Sequence, residues 1–124
     1  MTERHVRAIR GATTVGEDTP GAIRDATQAL LREIAARNAI APADVISALF
    51  TVTADLKSEF PARAARDLGW LDVPLLCTVE IPVPGALARC IRVLLHIESH
   101  RARAAIEHVY LDGARVLRPD LLRD

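Results

Sequence analysis

Three arginines stand where charge is unexpected: Arg10 in Ala8-Ile9-Arg10-Gly11, Arg92 in Cys90-Ile91-Arg92-Val93, and Arg118 directly after Val116-Leu117. A guanidinium stays protonated, so one embedded in apolar or strand-like sequence requires acceptors, either a protein carboxylate or an anionic ligand. Its flat fork of donors matches a carboxylate through two parallel hydrogen bonds, and the chemistry on offer is the grip on a small carboxylated molecule. Taken singly, each arginine is explained as well by a nearby glutamate or by a carbonyl at a sheet edge. Glu80, near the end of an apolar run, reads alone as a solvated or ion-paired carboxylate. Tyr110, the one tyrosine, reads as amphipathic core with its hydroxyl reaching the surface.

Other chemistries find no support. His5, His96, His100 and His108 lack metal-ligand spacing with Cys77 and Cys90, which argues against a zinc site and for no metal at all. Cys77 has no base partner visible in sequence, and Gly11 and Gly16 have neither the spacing nor the lysine of a phosphate loop. The 16 basic and 16 acidic residues balance, so nothing advertises a nucleic-acid partner. No run is long enough to serve as a signal peptide or to cross a bilayer, which makes a cytoplasmic protein with no membrane partner the expectation. Free, buried thiols in a reducing compartment follow from two cysteines in apolar runs.

The elements that must position these residues follow from periodicity. Residues 5–12 alternate, with Val6, Ala8 and Arg10 on one face of a first strand. Thr19-Pro20 supplies an N-cap and a first-turn proline, and Ile23, Ala26, Thr27, Leu30, Leu31 and Ile34 form the apolar stripe of a helix of roughly five turns, with Asn38 as its left-handed terminus. Pro42-Ala43-Asp44 suggests a short helical turn before a strand over 45–53. Phe60-Pro61 opens a short helix that Gly69 stops, and a third strand runs over 73–81 until Pro82 interrupts it. In the fourth strand Ile91, Val93, Leu95 and Ile97 share one face while Arg92, Leu94, His96 and Glu98 share the other. A helical link is expected around 101–105, and segments 108–111 and 114–117 flank Asp112-Gly113 as a hairpin.

This order predicts an α+β fold in which a single mixed five-stranded sheet carries one long amphipathic helix and short helices, within one domain spanning 1–124. One long helix and a short one cannot cover both faces of such a sheet. The second face, still apolar in part, is therefore expected to be buried against other copies of the chain.

Several motifs in order carry a resemblance: Ile9-Arg10-Gly11-Ala12-Thr13-Thr14-Val15, Phe60-Pro61-Ala62, Val73-Pro74, Cys90-Ile91-Arg92-Val93, His108-Val109-Tyr110-Leu111 and Val116-Leu117-Arg118-Pro119-Asp120. Together, over about residues 6 to 121, they resemble the AroH-class chorismate mutases. The resemblance implies an isomerase of the shikimate pathway and aromatic amino-acid biosynthesis that rearranges chorismate to prephenate without a cofactor. It also implies a homotrimer, a pseudo-α/β barrel with its active sites between subunits.

Carried over by position, the resemblance makes Arg92 the donor to the ether oxygen of the breaking bond and Glu80 the partner of the ligand's ring hydroxyl. Arg10 and Tyr110 bind the enolpyruvyl carboxylate, and Cys77 lies beside the ring-hydroxyl end. Phe60, Ala62 and Arg63 arrive from the neighbouring subunit, Arg66 and Arg118 stand near the cleft mouth, and Leu117 forms a wall. The sequence departs from the family pattern where Arg63 replaces lysine and Leu76 a polar residue, and a C-terminal tail closing over the site would be short. Cys77 and Glu80, three residues apart, would face opposite ways on a regular strand, so the strand must bulge, end early or contribute one residue from its edge. A different class of function stays open: a non-catalytic trimeric module that binds a small carboxylated metabolite.

Overall fold

The computed structural model describes residues 3–121. Strand β1 (His5–Thr14) leads into helix α1 (Pro20–Asn38), then β2 (Val45–Val52), helix α2 (Pro61–Asp67), β3 (Leu75–Val79), β4 (Cys90–Ser99) and the two-residue β5 (Val109–Tyr110), with short 3-10 turns at Pro42–Asp44, Arg103–Ala105, Asp112–Val116 and Pro119–Leu121. The sheet runs β3-β2-β4-β1-β5. β4 lies antiparallel between β1 and β2, while the edge strands β3 and β5 pair in parallel with β2 and β1. A parallel pair needs a crossover connection, and α2 provides one between β2 and β3.

Helix α1 begins as its sequence predicts, with Pro20 in the first turn and the Thr19 hydroxyl accepting from the Ala22 amide at 3.2 Å. Its end differs by one residue. Ala39 takes the left-handed conformation at φ 53°, and Asn38 remains helical and buried because its side chain is engaged elsewhere. The Asn38 amide donates to the carbonyls of Ile34 (3.0 Å) and Glu107 (2.9 Å), and its oxygen accepts from the Glu107 amide at 2.8 Å.

Both helices cover the same sheet face. Leu30, Leu31 and Ile34 of α1 and Ala62 and Ala65 of α2 join Ile9, Phe50, Val93 and Leu95 of the sheet in one buried cluster. Gly11 allows α1 to approach this closely: a Cβ there would stand 2.6 Å from Ile34 Cδ1 and 3.1 Å from Val93 Cγ1. The opposite face keeps the other set of alternating side chains. Val6 (62% exposed) and Leu76 (65%) remain open to solvent in the isolated chain, along with Arg10 and Arg92. The mixed five-stranded sheet is as expected, and so is its incompletely covered second face.

Near the C-terminus the sequence reading fails. No hairpin forms at Asp112-Gly113, and residues 114–117 are not a strand. The threonines ending β1 capture the turn instead: the Thr13 hydroxyl donates to the Asp112 carboxylate (3.3 Å), and Thr14 Oγ1 accepts from the Gly113 amide (3.0 Å). Asp112, not Gly113, takes the positive φ, at 51°. Ala114 is then buried against Ala12 and Tyr110, and a 3-10 turn carries the chain across the sheet end. The third strand is also shorter than expected, without a bulge inside it, and ends one residue before Glu80.

Candidate active site

On the open face the register sets side chains in rows. Leu76, Leu49, Leu94 and Arg10 form one row across β3, β2, β4 and β1; Thr78, Thr51, Arg92 and Ala12 form the next. Arg10 and Arg92 are thus diagonal neighbours on adjacent strands, close enough for one small ligand to reach both. Ala12 is in register with Tyr110 of β5, which brings the tyrosine to the end of the second row.

An open cleft of about 440 Å³ lies over these rows, lined by Arg10, Glu80, Arg92, Tyr110, Leu117 and Arg118 together with Leu49, Thr51 and Leu94. The turn that replaces the expected hairpin lays Leu117 and Arg118 over the sheet as its far wall. The strand-embedded arginines are not buried, contrary to what their apolar neighbours suggested: Arg10 and Arg92 are exposed and Arg118 half-buried. They belong to the sheet face that no helix covers.

Arg92 Nε stands 3.4 Å from Glu80 Oε2, and the Thr51 hydroxyl donates a short hydrogen bond to the same oxygen. At the other side of the cleft Arg118 grips Asp120 through two bonds, Nε to Oδ1 at 3.1 Å and a terminal nitrogen to Oδ2 at 2.9 Å. The Arg118 hydrogen bonds hold the Asp120 carboxyl below its ordinary value, and Asp120 in return raises the guanidinium. Arg10 is anchored through its backbone, whose amide donates to His108 Nδ1 at 2.9 Å. Beside Arg92 on the same face of β4, burial pushes the Cys90 thiol up, away from the reactive thiolate. Three guanidinium groups face one carboxylate among the lining residues, with the Asp120 carboxylate bound to Arg118 beside them, which leaves the cleft cationic and suited to an anionic ligand.

The remaining expected site residues lie elsewhere. Cys77 faces the helix side of β3 and lines a separate groove of about 270 Å³ with Phe60, Pro61, Thr78 and Val79. Ala62 is buried in the core, while Arg63 and Arg66 are exposed on α2, Arg63 lying 3.8 Å from Glu59. Within one chain, therefore, Cys77 does not share a cleft with Glu80. The strand alternation that raised this conflict in the sequence is real. Glu80 escapes it only in part, because its amide still donates to Val52 O at 2.8 Å and prolongs the parallel ladder. Thr51 was missed as a site residue. Its alternation with Ser47 and Leu49, opposite Ala48 and Phe50, marked the correct face, but nothing in the sequence set it against Arg92.

Among the described residues no group of three or more histidine, cysteine or acidic side chains could hold a metal, and no helix is long and apolar enough to cross a membrane.

Known proteins share this arrangement of chain and sheet. The family described as chorismate mutase type I matches residues 6–121. A chorismate mutase AroH of Thermus thermophilus is 51% identical over 117 residues, covering 94% of this chain and 96% of the relative. That of Bacillus subtilis (strain 168) is 45% identical over 117 residues, covering 94% and 92%. A solved chorismate mutase structure from Clostridium thermocellum superposes with a TM-score of 0.87 at 50% identity, covering 88% of this chain and 97% of that one. With a match over nearly its whole length and the arginine-lined cleft on its open sheet face, the chain belongs to the AroH-class chorismate mutases.

Proposed function

We propose that the chain, folded as a single AroH-type domain over residues 1–124, rearranges chorismate to prephenate in a site completed by a neighbouring copy, within a cytoplasmic homotrimer that needs neither cofactor, nucleic acid nor membrane. The observation that carries this reading is the convergence of Arg10, Arg92, Glu80, Tyr110 and Arg118 in one cleft of a chain from this family.

A Claisen rearrangement breaks one C–O bond as a C–C bond forms within the same molecule, without a nucleophile or a proton transfer. The protein has two tasks. It must hold a flexible dianion in its compact reactive conformer, and it must stabilise negative charge growing on the ether oxygen. Arg10 and Tyr110 take the enolpyruvyl carboxylate, which fixes one end of the ligand. Glu80 takes the ring hydroxyl and fixes the other. Arg92 lies between them on β4, its Nε 3.4 Å from Glu80 Oε2. Its guanidinium meets the ether oxygen, where a preorganised cation is held more strongly in the transition state than in the ground state. Arg118 and Leu117 close the far wall.

The second groove gives the trimer its role. Phe60 and Cys77 line a surface of their own, with Arg63 and Arg66 on the adjoining helix, and a complete set of ligand contacts requires that surface to meet the first cleft of another copy. Cys77 accordingly joins the residues supplied by the neighbour. The apolar side chains left open on β3 and beyond, Leu76, Val79 and Ile81, support burial of this edge between copies. Any closing tail would involve positions 122–124, which lie outside the described residues.

The test is incubation of purified protein with chorismate, following its loss and the appearance of prephenate, alongside sedimentation to establish the oligomer. Prephenate formed by a trimer is expected. Because no protein group passes a proton, turnover should also stay level across neutral pH. Binding of chorismate without conversion would favour the non-catalytic module, and full turnover by a lone protomer would sink the shared site.

A further inference from the structure

The Glu80 carboxylate has a long reach to its task and little to hold it from its own strand. β3 ends at Val79, and the Glu80 backbone is fixed by one ladder bond to Val52, but the side chain beyond it must lean across β2 to meet Arg92. The ion pair is a loose restraint at 3.4 Å with both partners partly exposed. A second contact comes from β2, where Thr51, in register with Arg92, donates its hydroxyl proton to Oε2. A β-branched side chain on a central strand has few rotamers, so this hydroxyl is in place before any ligand arrives.

We propose that Thr51 is a positioning residue for the rearrangement: it pins the Glu80 carboxylate by Oε2, setting that oxygen beside Arg92 and turning Oε1 to the hydroxyl of the ligand. The inference rests on the function proposed above and extends it to a residue that touches Glu80 and not the reacting atoms. One hydroxyl thereby serves two ends of the ligand, because the same carboxylate oxygen restrains the arginine aimed at the ether.

Thr51→Val keeps the shape of the side chain and removes the proton, and Thr51→Ser keeps the proton and removes the methyl. Losing a hydrogen bond to a charged group predicts a fall in kcat/KM of about ten- to a hundredfold for Thr51→Val, with an unchanged denaturation midpoint as the control for folding. Thr51→Ser should stay within about threefold of the parent. A crystal of ligand-free Thr51→Val should show the Glu80 carboxylate moved away from Arg92. Undiminished turnover in Thr51→Val, a serine variant as impaired as the valine one, or a carboxylate that stays in place would each overturn the assignment. A parent protein that leaves chorismate untouched would defeat the proposed function, whereas the position of Glu80 in the valine crystal would still decide the role of Thr51.

Discussion

Arg92→Ala is expected to fold and assemble like the parent while losing turnover by about a hundred- to a thousandfold, the usual cost of removing one preorganised donor from developing negative charge. The side chain is exposed on the open sheet face, so its removal leaves no cavity in the core. The backbone at this position keeps its pairing with Ala12 and Thr51 in either case. Steady-state kinetics with chorismate, beside circular dichroism and sedimentation, would separate the two effects. The loss should fall mainly on kcat, since the interaction strengthens only as the ether bond lengthens. Near-normal kcat in a folded Arg92→Ala would remove Arg92 from the chemistry.

Asn38→Leu should act on stability from the other side of the sheet. The substitution keeps approximate volume but strips the Glu107 amide and carbonyl of their partner, at a position where Asn38 itself is almost wholly buried. Two peptide groups left unsatisfied cost on the order of 2–5 kcal/mol together. Urea denaturation would register this as a lowered midpoint with little change in slope. The same bonds tie the end of α1 to the approach of β5, which carries Tyr110, so KM for chorismate should rise as well. A midpoint equal to that of the parent would show that water or a rearranged loop replaces the lost bonds.

How far the sequence could be read depended on the range of the interactions. Helix α1, the alternation of β1 and β4 and the β-branched run of β2 were legible because they are local: Thr19-Pro20 fixes the helix start, and in β4 Ile91 to Ile97 declares the buried face with every second residue. The turn at Asp112 was not legible, since the groups that decide it, Thr13 and Thr14, lie far away along the chain and outbid the local preference of Asp-Gly for a hairpin. The candidate site divides the same way. Arg10, Glu80, Arg92, Tyr110, Leu117 and Arg118 came from the motif resemblance and meet in one cleft. Their apolar neighbours suggested burial, but burial of a strand residue depends on which face a helix covers, and alternation alone does not say. The separation of Cys77 from Glu80 was foreshadowed by parity. Thr51 required the register between β2 and β4, a long-range fact.

The central place of β4 has a consequence for how this protein is made. The strand is synthesised after both of its partners, yet it must enter between them, so β1 and β2 have no ladder bonds to each other while they wait. On the ribosome the growing chain can form α1 early, but the sheet has a gap at its middle until residue 99 has emerged. Arg92 arrives with that same strand. The arginine at the heart of the cleft and the pairing that closes the sheet are thus acquired in a single late event, and a truncated product released before it would carry neither.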